Sequence, residues 1–263
     1  MDLQVKGKVF LLAGASKGLG LAIAEQLSLN GASVAIASRS AQTIEASAIE
    51  LAGRSGNPVK AYVMDASDGA SIQRWVTDAH SDFGRIDGLV VNAGGPPVGQ
   101  FDSFDDEDWL AAFNLTLMSA VRMVRAVLPH LRSAGGGAIL TLTSSSVKEP
   151  IDFLLLSNVM RAGVASLAKS LSKQLAAENI RVNNLIPGLI ATDRMQNLDK
   201  LQAQAKHLSI SDQRRANEQT IPLGRYGEPA EFGKAGAFLL SPAASYITGA
   251  SLVVDGGTMK TVW

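Results

Sequence analysis

The chain has 263 residues, and its 46% hydrophobic and 18% charged content excludes a disordered or fibrous chain. Its 24 basic and 24 acidic residues balance, which removes the electrostatic argument for binding nucleic acid or an anionic membrane surface. Cysteine is absent, which excludes disulfides and thiolate chemistry, and His80, His130 and His207 are too scattered to indicate a metal site. No apolar run reads as long enough to span a bilayer, so we expect a soluble, cytoplasmic protein with one domain over residues 1–263.

Short apolar, β-branched runs alternate with longer segments of helical periodicity along the chain. These runs predict seven strands, at residues 8–13, 33–37, 59–63, 86–91, 137–143, 180–186 and 250–254. The longer segments predict helices near residues 18–29, 41–53, 69–83, 106–133, 157–178 and 228–240. Strands separated by helices pair in parallel through right-handed crossovers. We therefore predict a single-domain α/β fold, a Rossmann-type doubly wound parallel sheet of seven strands with helices on both faces.

One polar stretch interrupts this regular alternation. Residues 193–222 follow Ile-Pro-Gly at 186–188 and have helical periodicity, so we expect a substrate lid there. The adjacent Arg214 and Arg215 have two interpretations: contact with an anionic substrate tail, or a solvated helix face, which is the simpler of the two.

A glycine-rich loop, Ala-Gly-Ala-Ser-Lys-Gly-Leu-Gly at residues 13–20, joins the first predicted strand to the first predicted helix. Gly14, Gly18 and Gly20 let the chain turn sharply and approach a diphosphate, while the free amides and the positive end of the helix favour the anion. The spacing differs from the common G-x-G-x-x-G. The position between strand and helix therefore indicates a dinucleotide site, with a plain tight turn as the alternative.

The end of the second predicted strand carries Ser38 and Arg39. An acidic residue at this place binds the free ribose hydroxyls and repels a 2′-phosphate, whereas serine donates to that phosphate and arginine neutralises it. Lys17 in the glycine loop offers a second cation. The sequence therefore predicts NADP as the cofactor, against the alternative of an exposed arginine at a strand end.

Further motifs occur in chain order: Asp65 after the third strand, Asn92-Ala93-Gly94 after the fourth, Asn114 in the long helix and Pro187-Gly188 after the sixth. With the glycine loop, these residues resemble the short-chain dehydrogenase/reductase family from about Gly7 to Gly257. The ending Ile247–Gly257 is similar to the last strand of the ketoacyl-carrier-protein reductase branch. Ala13 and Val91 replace the family's commoner threonine and asparagine.

The resemblance implies specific cofactor contacts. Asp65 would contact the adenine, Asn92 to Gly94 would support the adenosine ribose, and Thr192 would touch the nicotinamide amide. The complete expected cofactor set is Gly14, Ser16, Lys17, Gly18, Leu19, Gly20, Ser38, Arg39, Asp65, Ala66, Asn92, Ala93, Gly94, Arg161, Pro187, Gly188, Ile190 and Thr192.

The resemblance also implies carbonyl reduction or alcohol oxidation by an asparagine, a serine and a Tyr-x-x-x-Lys pair. Asn114 fits the first position and Ser144 the second. The family places that serine 13 residues before the tyrosine, which leads to Ser157 and then, four residues on, to Arg161. Tyrosine and lysine are therefore both missing, and no tyrosine lies between residues 63 and 225 to replace the first.

Ser157 and Arg161 are four residues apart and share a helix face, so both side chains can point into a cleft. A serine hydroxyl is a poor proton source and arginine stays protonated, so Arg161 can hold a ribose or polarise an oxyanion but not shuttle a proton. Lys148 is a candidate substitute donor, since a desolvated lysine titrates near neutrality. A solvated lysine beside Glu149 is the plainer interpretation.

We expect an NADP-dependent oxidoreductase that transfers hydride between nicotinamide and a small carbonyl or secondary alcohol, with Asn114, Ser144, Ser157, Arg161 and Lys148 as catalytic candidates. One alternative is an NADP-binding sensor or oligomer partner without turnover. Another is proton-transfer or elimination chemistry, which has no residue signature. The apolar segment 106–132 exceeds one core face, and in the resembling family such helices form subunit interfaces, so we expect a homodimer or homotetramer.

Overall fold

Seven parallel strands form one sheet in the order β3-β2-β1-β4-β5-β6-β7. The computed structural model describes residues 2–262. The strands are β1 (Val9–Ala13), β2 (Ser33–Ser38), β3 (Val59–Val63), β4 (Gly88–Val91), β5 (Gly137–Leu142), β6 (Ile180–Pro187) and β7 (Ser251–Val254). The helices are α1 (Gly18–Leu29), α2 (Ala41–Ser55), α3 (Gly69–Phe83), α4 (Asp106–Ala112), α5 (Ser119–Ser133), α6 (Leu155–Gln174), α7 (Asp193–Ala205), α8 (Ile210–Gln219) and α9 (Pro229–Leu240).

Hydrophobic side chains alternate between two cores, one on each face of the sheet. On one face Leu11 of β1 packs with Trp75 and Met123, which come from α3 and α5. On the other face Leu12 packs with Ile23 and Phe232, which come from α1 and α9. Burial of both faces explains why the central strands β1 and β4 are continuous apolar runs. The predicted doubly wound, single-domain α/β fold is confirmed.

The predicted long helix at 106–133 is not one regular helix. A π-helical turn at Phe113–Met118 separates α4 from α5, and the Ser119 amide donates to the carbonyl of Asn114, five residues earlier. Such turns occur frequently at functional sites, and periodicity does not reveal them. The helix predicted at 157–178 also differs, because α6 begins at Leu155 and ends at Gln174.

The run from Asp106 to Ser133 spans 28 residues and is, by length and composition alone, long and apolar enough to cross a membrane. This corrects the expectation that no such run exists. Within the structure, however, Met123, Val127 and Leu131 of this run are buried in the core beside the sheet. A core helix of an α/β domain shows the same arrangement.

The polar stretch 193–222 folds into α7 and α8, which pack on each other around polar side chains. Asp199 is 2% exposed and accepts hydrogen bonds from Tyr226 Oη and Asn217 Nδ2, each at 2.9 Å. Gln213 of α8 donates to Gln202 of α7 at 3.0 Å. These buried hydrogen bonds hold a segment with few apolar side chains. We refer to α7 and α8 together as the lid, because this is the segment in which a substrate lid is expected.

The two adjacent arginines of the lid form ion pairs on its outer surface. Arg214 pairs with Glu218 at 2.9 Å, and Arg215 pairs with Asp212 at 3.3 Å. Each partner lies one helical turn away on α8, which is typical of a solvated helix face. This geometry favours the simpler interpretation of the pair.

Candidate active site

The loop between β1 and α1 takes a shape that requires glycine. Gly14 and Gly18 have φ values of +59° and +61°, in the left-handed region that favours glycine. A Cβ on Gly20 would lie 2.6 Å from the carbonyl oxygen of Gly14. That same carbonyl accepts a hydrogen bond of 3.1 Å from the Asn92 side chain, which ties the loop to the end of β4.

The amino end of α1 keeps its donors free. Its N-cap residue, Lys17, has extended backbone and makes no side-chain hydrogen bond to the first turn. The first amides of a helix have no partner within the helix, so they remain available to an anion. A close-packed glycine turn with free amides fits the diphosphate of a dinucleotide.

We expect Gly20→Ala to lower the free energy of unfolding by about 1 to 3 kcal/mol, because the added methyl overlaps backbone atoms that cannot rotate away. Gly53→Ala on α2 is the matched control, since a Cβ there has no atom within 4 Å. That control gains about 1 kcal/mol from helix propensity. Urea unfolding of both variants measures the difference, and a Gly20→Ala midpoint at or above that of the unmodified protein contradicts this account of the loop.

The carboxyl end of β2 presents an exposed arginine. Arg39 forms no ion pair with any residue in the range 2–262. The Ser38 hydroxyl donates weakly to the Ser40 carbonyl at 3.5 Å. Nearby, hydrogen bonds from the amide and hydroxyl of Ser67 lower the pKa of Asp65, and the positive charge of Arg39 contributes to the same shift. Arg39 is therefore free for an anion at this place.

Lys17 is placed differently from the expectation. Its ammonium lies 3.0 Å from Asp193 at the start of α7, and both side chains are exposed. The expected second cation for a ribose phosphate is thus engaged with the lid. The ion pair connects the glycine loop to the lid across the cleft.

A cleft of about 480 Å³ opens at the carboxyl ends of β1, β4, β5 and β6. The expected site residues that line it are Gly14, Lys17, Gly18, Leu19, Asn92, Ala93, Gly94, Ser144, Ser157, Arg161, Pro187, Gly188, Ile190 and Thr192. Those outside its lining are Ser16, Gly20, Ser38, Arg39, Asp65, Ala66, Asn114 and Lys148. Ligands of open α/β sheets bind at this edge.

Ser157 and Arg161 lie one turn apart on α6 and both face the cleft. Ser157 is 3% exposed and Arg161 is 9% exposed. Arg161 Nε donates to Ser157 Oγ at 3.2 Å, and its Nη1 donates to the Leu142 carbonyl at 3.0 Å. Burial, with a smaller effect from Arg194, lowers the pKa of Arg161 to about 10. The guanidinium is therefore still a cation at neutral pH.

Ser144 follows β5 and caps the 3₁₀ turn at Ser145–Val147. Its Oγ accepts a hydrogen bond of 3.2 Å from the Ser146 amide, which leaves the hydroxyl proton to donate. Behind it, Thr141 and Thr143 donate to Oδ1 of Asn184 at 3.0 and 2.9 Å. These buried bonds connect β5 to β6 and hold the strand end that carries Ser144.

Two candidates stand outside the cleft. Asn114 lies in the π-helical turn, where its Oδ1 accepts a hydrogen bond of 3.3 Å from Arg122. Lys148 follows the 3₁₀ turn after Ser144 and does not line the cleft. Both residues therefore stay predictions as catalytic groups, and Lys148 would have to move toward the cleft to give a proton to substrate.

Sequence reasoning missed Arg194, in the first turn of α7. Its guanidinium lies against Gly95 so closely that a side chain on Gly95 would overlap it. Arg194 lines the cleft, and burial of its head group lowers its pKa although the residue as a whole is exposed. The sequence signal for this role is a basic residue two positions after Thr192, and it does not stand out because the surrounding stretch is polar throughout.

Comparisons with known proteins agree with this geometry. The sequence model of a family described as enoyl-(acyl carrier protein) reductase matches residues 14–259. A relative, the 3-oxoacyl-(acyl-carrier-protein) reductase of Haemophilus influenzae, is 34% identical over 255 residues, which cover 96% of this chain and 98% of the relative.

Two solved structures share the whole fold. L-Sorbose reductase from Gluconobacter frateurii, complexed with NADPH and L-sorbose, superposes with a TM-score of 0.95 at 31% identity and 100% coverage of both chains. An NADPH-bound short-chain oxidoreductase from Pseudomonas aeruginosa PAO1, described as containing an atypical catalytic center, gives a TM-score of 0.88 at 32% identity, covering 97% of this chain and 98% of the other. The predicted similarity to ketoacyl-carrier-protein reductases is confirmed. The chain belongs to the short-chain dehydrogenase/reductase family of oxidoreductases.

Proposed function

We propose that the protein is an NADP-dependent oxidoreductase that transfers hydride between nicotinamide and a carbonyl or secondary alcohol, with Ser157 and Arg161 where the family has tyrosine and lysine. One observation carries the proposal: the glycine loop and the hydrogen-bonded Ser157–Arg161 pair line the same cleft. A cleft that holds both a diphosphate cradle and polar groups on α6 has the two parts that such a reaction requires.

The cofactor assignment follows from the charges around the loop. Free amides of α1 and the turn at Gly14 and Gly18 would hold the diphosphate, and Ser38 and Arg39 would hold the 2′-phosphate. The other residues of the expected cofactor set extend this path towards Thr192. Two structures of similar fold and about one-third identity contain NADPH, which supports the choice. When bound, the nicotinamide supplies or accepts the hydride.

The polar groups of the cleft would orient the substrate oxygen. Ser144 has a free hydroxyl proton, and Ser157 accepts from Arg161 and so keeps its own proton to donate. Arg161 Nη2 has no hydrogen-bond partner within residues 2–262 and is available to a ribose hydroxyl or to negative charge on the substrate oxygen. Asn114 does not line the cleft, so it would influence the substrate site through the π-helical turn that carries it.

The source of the proton in this site differs from that in the resembling family. The titratable side chains that line the cleft are Lys17, Arg161, Asp193 and Arg194, and Lys17 pairs with Asp193. None of them reproduces a phenol beside an ammonium group, so we propose that a water molecule in the cleft supplies or accepts the proton. Loss of a positioned general acid costs about 10²- to 10⁴-fold in rate. Proximity of the substrate to the nicotinamide lowers the barrier by about 7 to 11 kcal/mol, so we expect slow but measurable turnover.

The missing acid favours a second candidate function, an NADP-binding protein without turnover that acts as a sensor or oligomer partner. The buried hydrogen bond from Arg161 to Ser157 also suits a purely structural pair. Cofactor binding is common to both functions. They differ only in whether the bound NADPH is oxidised.

The lid and the exposed helix faces have proposed roles in substrate closure and in subunit assembly. The lid would close over substrate, with the Lys17–Asp193 pair holding it to the glycine loop. Exposed apolar side chains on α4, the π-helical turn and α6, namely Leu110, Phe113 and Val159, would form a subunit interface. The expected assembly is a homodimer or homotetramer.

Mixing the purified protein with NADPH and a panel of aldehydes and ketones tests the proposal. We expect loss of NADPH absorbance with some carbonyls, and much less loss with NADH, because Arg39 favours the extra phosphate. Binding of NADPH without oxidation in the whole panel supports the alternative function. Absence of NADPH binding contradicts both.

A further inference from the structure

The cleft contains two guanidinium groups that no carboxylate neutralises. Arg161 on α6 and Arg194 on α7 form no ion pair within residues 2–262, and both line the cleft. The two guanidinium groups repel each other, and the positive charge of Arg194 accordingly contributes to the lowered pKa of Arg161. An anion bound between these two like charges would offset that repulsion.

The charge balance of the lining points in the same direction. Among the lining residues Asp193 is the one acidic side chain, and it pairs with Lys17 at 3.0 Å on the outer side of the cleft. The remaining excess is two positive charges, on Arg161 and Arg194. A ribose bound to Arg161 is neutral and leaves that excess unchanged.

The direction of Arg194 separates it from the proposed diphosphate cradle. Thr192 and Asp193 are the residues of this segment that contact the glycine loop: Thr192 lies 3.6 Å from where a Cβ of Gly18 would be, and Asp193 pairs with Lys17. Arg194 instead extends across the cleft to Gly95, beyond the Asn92–Gly94 segment. Its head group therefore lies beside the loop that follows β4, and we place the substrate on this side of the cleft.

We propose that Arg194 binds a carboxylate of the substrate, and that the positive charge of Arg161 strengthens this binding, so that the enzyme acts on oxo acids or hydroxy acids. This inference rests on the proposed function and names its substrate class. Ile151, Phe153, Leu154 and Leu198 form apolar walls of the same cleft. The substrate therefore combines an anionic group with an apolar body.

Calorimetry on the intact protein saturated with NADP⁺ tests the inference without requiring turnover. The probes are butanoate, hexanoate, octanoate and benzoate, each paired with its primary amide, which has nearly the same shape and no charge. We expect at least one carboxylate to bind about tenfold or more tightly than its amide. Arg194→Gln removes that preference and Arg194→Lys keeps part of it. Arg215→Gln, which changes an ion-paired arginine of the lid outside the cleft, keeps all of it.

Three results overturn the inference: no carboxylate binds better than its amide, Arg194→Gln keeps the preference, or Arg215→Gln loses it. A parallel titration with NADPH identifies the other possible anion, the cofactor diphosphate. We expect its Kd in Arg194→Gln to stay within about twofold of the unmodified protein. A weakening of about tenfold with the carboxylate preference intact assigns Arg194 to the cofactor instead. Failure of NADPH to bind the unmodified protein contradicts the proposed function, and the carboxylate titrations of the cofactor-free protein then still decide the role of Arg194.

Discussion

The double variant Ser157→Tyr with Arg161→Lys is expected to reduce carbonyl substrates about 10²- to 10⁴-fold faster than the unmodified protein, because it restores a positioned general acid. The two positions lie one turn apart on α6 and face the cleft, so a phenol and an ammonium placed there would point at the same substrate oxygen. Ser157 lines this cleft of about 480 Å³, so the larger ring would project into it. The measurement is kcat for NADPH oxidation with a carbonyl that the protein accepts.

The two single variants are the controls for this result. Arg161→Lys alone adds an ammonium group without the phenol beside it, and Ser157→Tyr alone adds a phenol without the lysine that lowers its pKa in the resembling family. We expect each to fall well short of the double variant, since groups that act as a unit are not additive. A double variant that is folded, binds NADPH and turns over no faster than the unmodified protein contradicts the placement of the catalytic pair.

Arg39→Asp is expected to weaken NADPH binding by about 100-fold or more and to leave NADH binding unchanged or improved. Hydrogen bonds from a charged group contribute about 1.5 to 3 kcal/mol, and a carboxylate at the same place adds repulsion. Arg39 is free to supply these bonds, because it forms no ion pair within residues 2–262. Calorimetric titration with both nucleotides gives the two dissociation constants.

Arg39→Lys is the matched control, since it keeps the charge and loses only the bidentate geometry. It should weaken NADPH binding less than Arg39→Asp does. If Arg39→Asp binds NADPH as tightly as the unmodified protein, another cation holds the 2′-phosphate. Lys17 would then have to leave Asp193 to do so.

Local signals in the sequence were enough for most of the sheet and its helices. The bounds of α1 and α3 match the expectation, because Gly18 starts α1 and because Asp68 and Gly84 cap α3. The strands agree within two residues at each end, since turn residues flank each apolar run. The glycine loop was predictable for the same reason: its residues are contiguous and lie at one strand–helix junction.

Features that depend on tertiary contacts could not be predicted from the sequence. The π-helical turn at Phe113–Met118 leaves the apolar periodicity nearly intact, so nothing in the pattern separates α4 from α5. Lys148 is near Ser144 in the sequence, but the 3₁₀ turn between them takes it away from the cleft lining. Arg194 enters the site only because the lid folds across to Gly95, a contact between residues about 100 positions apart.

Titration of NADPH into the purified protein, followed by NADH under the same conditions, decides whether the glycine loop and Arg39 form an NADP site. We expect saturable binding of NADPH that is at least about tenfold tighter than that of NADH, with the difference abolished in Arg39→Asp. Equal affinities for the two nucleotides, or no binding of either, would contradict it.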